Sequence, residues 1–229
     1  MRPMSSATYT TTIFAVLAAL GSSPVQGQES APREVAPAHV HIRHVAESFR
    51  GTPDRQGILA TATAEAEIAL QHATLAARDV TNLEAMQRHA GHVINALDPT
   101  AVEDGPGLGY GMIEAARRAA HYTELAIVSV GAGDAIQTHG PHVATAARSA
   151  VAMAEEALEV ADAVVDAETA EEAAELVARL QALTDAVVNG VDADADGRVG
   201  WQEGEGGLAQ ATQHLGLLMR GEGLASGSQ

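Results

Sequence analysis

The chain of 229 residues contains no cysteine. Disulfide bonds, thiolate zinc sites and covalent c-type haem on a Cys-x-x-Cys-His motif are therefore excluded. The chain also contains no lysine, and its 13 arginines stand against 30 acidic residues, which gives a net charge of −17. A negative surface of this kind argues against binding to nucleic acid or anionic membranes, and it favours cations.

Aromatic residues make up only 3% of the chain, and the alternating apolar pattern of β-strands is hard to find. Alanine, glutamate, leucine and arginine dominate instead, and all four are good helix formers. We therefore predict an all-α fold, either a helical bundle or stacked helix pairs. Apolar periodicity and the Gly/Pro breaks between segments predict helices at 38–50, 57–78, 81–97, 108–130, 134–166, 168–190 and 202–219.

Long apolar runs are also lacking, and the N-terminal stretch Ile13–Leu20 spans only eight residues. It is too short to cross a bilayer, but with Arg2 before it and small residues at Val25 and Gly27 it is typical of a signal peptide. We predict that residues 1–27 are removed by a cut after Gly27, which gives a periplasmic or extracellular protein with no membrane span. Cleavage would remove one arginine and no acidic residue, so the negative charge grows by one.

An acidic segment near the C-terminus, residues 192–203, reads DADADGRVGWQE. Asp192, Asp194 and Asp196 alternate along the chain, so their carboxylates can converge on one cation. Gly197 follows them, where the chain must turn sharply. Hard oxygen ligands of this kind are what Ca²⁺ prefers.

The segment continues with Arg198 and ends with Glu203. The whole pattern, D-x-D-x-D-G-x5-E, is similar to the calcium loop of EF-hand proteins. The resemblance covers the loop and its two flanking helices. It implies bound Ca²⁺, with the Arg198 backbone carbonyl as one ligand and Glu203 as a bidentate ligand. Because EF-hand loops usually occur in pairs and only one is visible here, it favours a stabilising role for Ca²⁺ over signalling.

A weak repeat runs through the N-terminal part, where His-x-x-His-Val occurs three times at spacings of 48 and 50 residues. Each spacing of three places both imidazoles on one helical face. Single histidines, His72 and His121, follow the first two pairs by 28 and 29 residues, so each repeat is predicted to be a helix pair with the lone histidine on the second helix. The third repeat lacks such a histidine, and His214 is predicted to be a surface residue.

Three interpretations of these histidines stay open. They could bind Zn²⁺, Cu²⁺ or Ni²⁺, ligate a non-covalent haem, with Met86 as an alternative axial ligand, or serve only in packing. The candidate residues are His41, His44, His72, His89, His92, His121, His139 and His142.

The sequence offers no catalytic constellation. It contains neither His-Glu-x-x-His nor Gly-x-Ser-x-Gly, and the Gly-rich segment 105–111 is read as a loop that leads into a helix. A non-enzymatic binding protein is therefore favoured over an enzyme.

The predicted organisation is a signal peptide (1–27), a His-bearing helical repeat region (28–166), an EF-hand helix-loop-helix (167–220) and a disordered tail (221–229). The first functional hypothesis is an exported calcium-binding protein. The alternative is a haem- or transition-metal-binding bundle for electron transfer, storage or sensing.

Overall fold

The regular structure is helical throughout the part of the chain that the computed structural model describes, residues 35–225 with the isolated residues Met1 and Thr8. This confirms the all-α prediction, and no strand occurs among the described residues. A short 3-10 turn spans Pro53–Arg55. The helices are α1 (Pro37–Ala46), α2 (Ile58–Ala76), α3 (Leu83–Leu97), α4 (Met112–Val128), α5 (Asp134–Asp166), α6 (Ala170–Asn189) and α7 (Leu208–Gly221).

The longest helix, α5, is the centre of the bundle and packs against α3, α4, α6 and α7. Much of the buried surface is alanine, which lets neighbouring helices approach closely. At Gly140 of α5 an added Cβ would lie 2.8 Å from Ile127 of α4, so this crossing requires glycine.

Helix starts follow local chemistry, with one correction to the prediction. Thr169 caps α6, because its hydroxyl accepts from the backbone N–H of Glu172. Helix α3 begins at Leu83 and not at the predicted residue 81, because the side chain of Asn82 caps it by accepting from the backbone N–H of Ala85.

The Gly-rich segment 105–111 is a loop into α4, as predicted. Its organiser is Glu65 of α2, which is fully buried. The Glu65 carboxylate accepts from the backbone N–H groups of Leu108, Tyr110 and Gly111, at 2.9, 3.0 and 3.0 Å. A carboxylate at a helix N-terminus also meets the positive end of the helix dipole.

The structure bears differently on the two predicted terminal segments, the signal peptide (1–27) and the disordered tail (221–229). The predicted signal peptide lies outside the described residues, apart from Met1 and Thr8. The predicted tail begins too early, because α7 runs to Gly221 and Glu222 accepts from His39 and from the backbone of Ile136. Between residues 35 and 225, no helix combines the length and apolar character needed to cross a membrane.

Candidate metal centres

The valine of each His-x-x-His-Val motif explains where the paired histidines point. Val45, Val93 and Val143 are all fully buried. A valine four residues after the first histidine lies on the same helical face, so burying it holds both imidazoles at the edge of the core. The histidines are accordingly half-buried.

The first cluster, named the α2–α3 centre, consists of His72 from α2 and His89 and His92 from α3. The Nδ1 atom of His72 lies 3.0 Å from His89 Nδ1 and 3.2 Å from His92 Nδ1. Ligand atoms of all three residues lie within 4.8 Å of one another, as a shared metal ion would require.

The second cluster, named the α5–α7 centre, repeats this arrangement with His139 and His142 from α5 and His214 from α7. Here His214 Nδ1 lies 3.2 Å from His139 Nδ1 and 3.3 Å from His142 Nδ1. The prediction that His214 is a surface residue is therefore wrong: it is the lone histidine that the third repeat seemed to lack.

Hydrogen bonding alone does not satisfy three nitrogens that converge in this way. A ring nitrogen carries either one proton or one in-plane lone pair, so His72 Nδ1 can pair well with only one of its two neighbours. A metal ion accepts lone pairs from all three. Zn–N bonds of about 2.0–2.1 Å at the tetrahedral angle place ligand nitrogens about 3.3 Å apart, close to the separations in both centres.

The surroundings of His72 and His214 favour the neutral form of these two imidazoles. Burial, together with His92 and His89, lowers the pKa of His72 to about 4. Burial likewise lowers the pKa of His214, with added repulsion from His142 and His139. A neutral imidazole is the form that binds metal, so these clusters are poised as ligands at neutral pH.

Helix pairing differs from the prediction, in which His72 followed the first histidine pair and His121 the second. In the structure His72 faces the pair that comes after it in the chain, on α3. The first pair, on α1, packs instead against α4, where the ring of Tyr122 contacts both His41 and His44. These three residues are named the α1–α4 cluster, and His121 lies beside it on the exposed side of α4.

The acidic segment forms a tight loop between α6 and α7. The Asp192 carboxylate accepts from the backbone N–H groups of Asp196 and Gly197, at 3.1 and 2.9 Å. The Asp196 carboxylate accepts from Arg198 at 2.8 Å. Gly197 has a φ of 87°, the left-handed conformation expected for a glycine at this turn.

The acidic residue that joins Asp192 and Asp194 is Glu205, and not the predicted Glu203. Carboxylate oxygens of the three lie within 4.8 Å of one another, and Glu205 is only 5% exposed. Glu203 is exposed. The helix predicted over 202–219 begins later in the structure. The first residue of α7 is Leu208, because Gly206 and Gly207 precede it.

The acidic loop touches the α5–α7 centre through Trp201. The indole stacks on His142, with ring centroids 3.8 Å apart and planes 18° apart, and its edge faces His214 at 6.5 Å. Gly204 also donates its backbone N–H to Ser149 of α5 at 3.0 Å. The loop is thus anchored on the helix that carries His139 and His142.

Three residues of these sites, Trp201, Glu205 and His214, were missed from the sequence. For His214 a signal existed. Residues at −3, +1 and +4 from His72 and from His214 are all apolar and buried, and they are Ala69, Ala73, Ala76, Ala211, Leu215 and Leu218. No protein-family model, curated protein or solved structure matches this chain.

Proposed function

We propose that this chain is a non-enzymatic transition-metal-binding protein in which the α2–α3 centre and the α5–α7 centre each hold one ion. One observation carries the proposal: in two separate places, one imidazole nitrogen lies 3.0–3.3 Å from the nitrogens of a histidine pair on a neighbouring helix. A chance contact between histidines would not be expected to repeat with the same nitrogen atoms and the same His-x-x-His-Val helix.

The ligand set indicates the kind of ion. Neutral imidazoles without thiolates suit Zn²⁺ and copper, and copper(II) binds such sites more tightly than the other divalent ions of its row. Three protein ligands leave a fourth position open for water or a carrier ligand. Haem fits less well, because its iron takes axial ligands on opposite sides of a flat ring, whereas nitrogens 3.0–3.3 Å apart leave no room for a ring between them.

Storage or delivery of the ion is the role that fits best. The ligating side chains are half-buried, so an ion can enter and leave without unfolding of the core. We further propose that the protein acts outside the cytoplasm. The short apolar stretch near the N-terminus, with Arg2 before it, supports this, and N-terminal sequencing of the secreted protein would show whether the chain starts after Gly27.

The test of the proposal removes one ligand from each centre. Metal-free protein is dialysed against a small excess of Zn²⁺, and bound zinc is counted by native mass spectrometry. We expect His72→Ala and His214→Ala each to lose one ion relative to the unaltered chain, and the double variant to lose two. His39→Ala is the control, because His39 pairs with Glu222 at 3.0 Å outside either centre.

Unchanged zinc content in the double variant would refute the assignment of the centres. Failure of the unaltered chain to take up Zn²⁺ or Cu²⁺ would refute the function itself. Circular dichroism of each variant shows that lost binding does not come from lost folding.

We also propose that the acidic loop binds Ca²⁺, with Glu205 as a ligand. The supporting observation is the burial of Glu205 beside Asp192 and Asp194. Three carboxylates this close repel one another, and burial makes the uncompensated charge of Glu205 more costly. A divalent cation removes both costs, so the role proposed for Ca²⁺ is to stabilise the loop and the start of α7.

Calorimetry of Ca²⁺ binding separates the two candidate acidic ligands. We expect Glu205→Gln to weaken binding strongly, whereas the matched variant Glu203→Gln, at an exposed position, changes it little. The reverse order would restore Glu203 to the ligand set. Absence of Ca²⁺ heat in the unaltered chain at millimolar metal would refute the calcium proposal.

A further inference from the structure

The α1–α4 cluster has the helical register of the two three-histidine centres. The lone histidines His72 and His214 are each flanked at −3, +1 and +4 by buried residues. Of the two aromatic-ring residues on α4, Tyr122 has this pattern and His121 does not. The flanking residues of Tyr122 are Ala119, Thr123 and Ala126, all fully buried, whereas the residue three before His121 is the exposed Arg118.

Ring geometry gives the same correspondence for the first histidine of each pair. His41 and Tyr122 have centroids 5.9 Å apart and planes tilted by 41°. The matching values are 5.3 Å and 33° for His89 and His72, and 5.4 Å and 36° for His139 and His214.

The ring of the second histidine of each pair lies edge-on to the facing ring on the neighbouring helix. His44 and Tyr122 are 5.3 Å apart at 87°. The two three-histidine centres both show 4.6 Å, at 85° in the α2–α3 centre and 78° in the α5–α7 centre. Tyr122 therefore occupies the place of the third imidazole.

Unpartnered nitrogens in the cluster point independently to a ligand. The Nδ1 atoms of His41 and His44 are buried and have no hydrogen-bond partner in the described structure. These are the atoms that converge in the other two centres, and burying a polar nitrogen without a partner is unfavourable. A groove lined by His44, Phe49 and Arg43 gives access from solvent.

We infer that the α1–α4 cluster is a third metal site, in which the Nδ1 atoms of His41 and His44 bind the ion. The Tyr122 hydroxyl makes no hydrogen bond to either nitrogen in the described structure, and the bound ion draws it in as a phenolate ligand. The inference rests on the proposed function of the other two centres. An anionic oxygen ligand is harder than imidazole, so this site favours Cu²⁺ over Cu⁺ more strongly than a three-histidine centre does. Binding replaces the phenol proton with the ion, and the proton leaves to solvent.

The test counts Cu²⁺ on the metal-free full chain by native mass spectrometry and records the visible spectrum. We expect three ions, with a phenolate-to-copper charge-transfer band. Tyr122→Phe should bind two ions and lose the band. Tyr122→His should bind three ions without the band, and His121→Ala should keep both the third ion and the band.

The outcomes separate this inference from the proposal on which it rests. Two ions on the unaltered chain, or a third ion without the band, would overturn the tyrosinate site while leaving the three-histidine centres intact. Loss of the third ion in His121→Ala but not in Tyr122→Phe would overturn the choice of Tyr122. Absence of any bound copper would refute the proposed function as well.

Discussion

Thermal stability should report metal occupancy of each three-histidine centre separately. An ion that binds only the folded chain, at a free concentration 100 times its Kd, stabilises that chain by about 2.7 kcal/mol. For a folded unit of this size, 1 kcal/mol raises the melting temperature by about 2–4 °C. Each occupied centre should therefore raise the Tm by about 5–11 °C.

Removal of one imidazole should lower the Zn²⁺-induced Tm shift by an amount that follows from the weaker binding. Loss of a group that merely supports a metal ligand weakens binding by about 10–100-fold, so we expect loss of a ligand to weaken it by at least about 100-fold. At the same Zn²⁺ concentration, His214→Ala would then gain only about 0.4 kcal/mol from the α5–α7 centre. Its Zn²⁺-induced Tm shift should fall by about 5–9 °C relative to that of the unaltered chain.

Differential scanning calorimetry with and without Zn²⁺ measures this shift. His39→Ala is the matched control, because it removes the hydrogen bond to Glu222 and lowers the starting Tm but leaves both centres intact. Its Zn²⁺-induced shift should equal that of the unaltered chain. If His214→Ala and His39→Ala show the same shift, the reasoning about the α5–α7 centre is wrong.

Three further predictions test other parts of the structure. Quenching of Trp201 fluorescence by Cu²⁺ should vanish in His142→Ala but persist in His72→Ala, because His142 stacks on the chain's single tryptophan and His72 does not. Equal quenching in both variants would contradict the stacking. Glu65→Ala should destabilise the fold by about 3–5 kcal/mol in urea denaturation, since three backbone N–H groups of the loop lose a fully buried acceptor. A loss below about 1 kcal/mol would show that the loop finds other partners. The pKa of His72 falls from 6.5 to about 4 on folding, so between these pH values the unfolded chain binds a proton at His72 that the folded chain does not. The free energy of unfolding of the metal-free protein should therefore drop as the pH falls from about 6.5 to about 4. The drop should be smaller in His72→Gln, and an equal drop in that variant would argue against this cause.

Much of the helical framework could be predicted from the sequence, because the signals are local. Apolar periodicity and breakers located all seven α-helices that occur between residues 35 and 225, and α5 begins and ends at the predicted residues 134 and 166. The start of α7 was wrong because three glycines follow Glu203, and the helix begins only after the last of them, at Leu208.

The pairing of helices could not be predicted in the same way, because packing is not set by chain order. His-x-x-His-Val marked the correct faces, since the helical spacing and the buried valine are both visible in the sequence. Which helix covers each face depends on the whole bundle. Counting along the chain therefore assigned His72 to the wrong pair, chose His121 in place of Tyr122, and left His214 out.

The acidic loop shows the same limit on a smaller scale. Its pattern placed Asp192 and Asp194 together, as the structure also does. The EF-hand resemblance assumes that a helix continues through Glu203, so that this carboxylate points back into the loop. Here the chain turns at 201–205 instead, and the backbone pairing of Val191 N–H with the Glu205 carbonyl at 2.9 Å brings Glu205 inward.

X-ray absorption spectroscopy of the zinc-loaded protein tests the central claim most directly, because it reads the ligands around the ion itself. We predict about three imidazole nitrogens per zinc at about 2.0–2.1 Å, with a marked fall in imidazole scattering in the double variant His72→Ala, His214→Ala. A shell of oxygens without imidazole scattering in the unaltered chain would contradict the account.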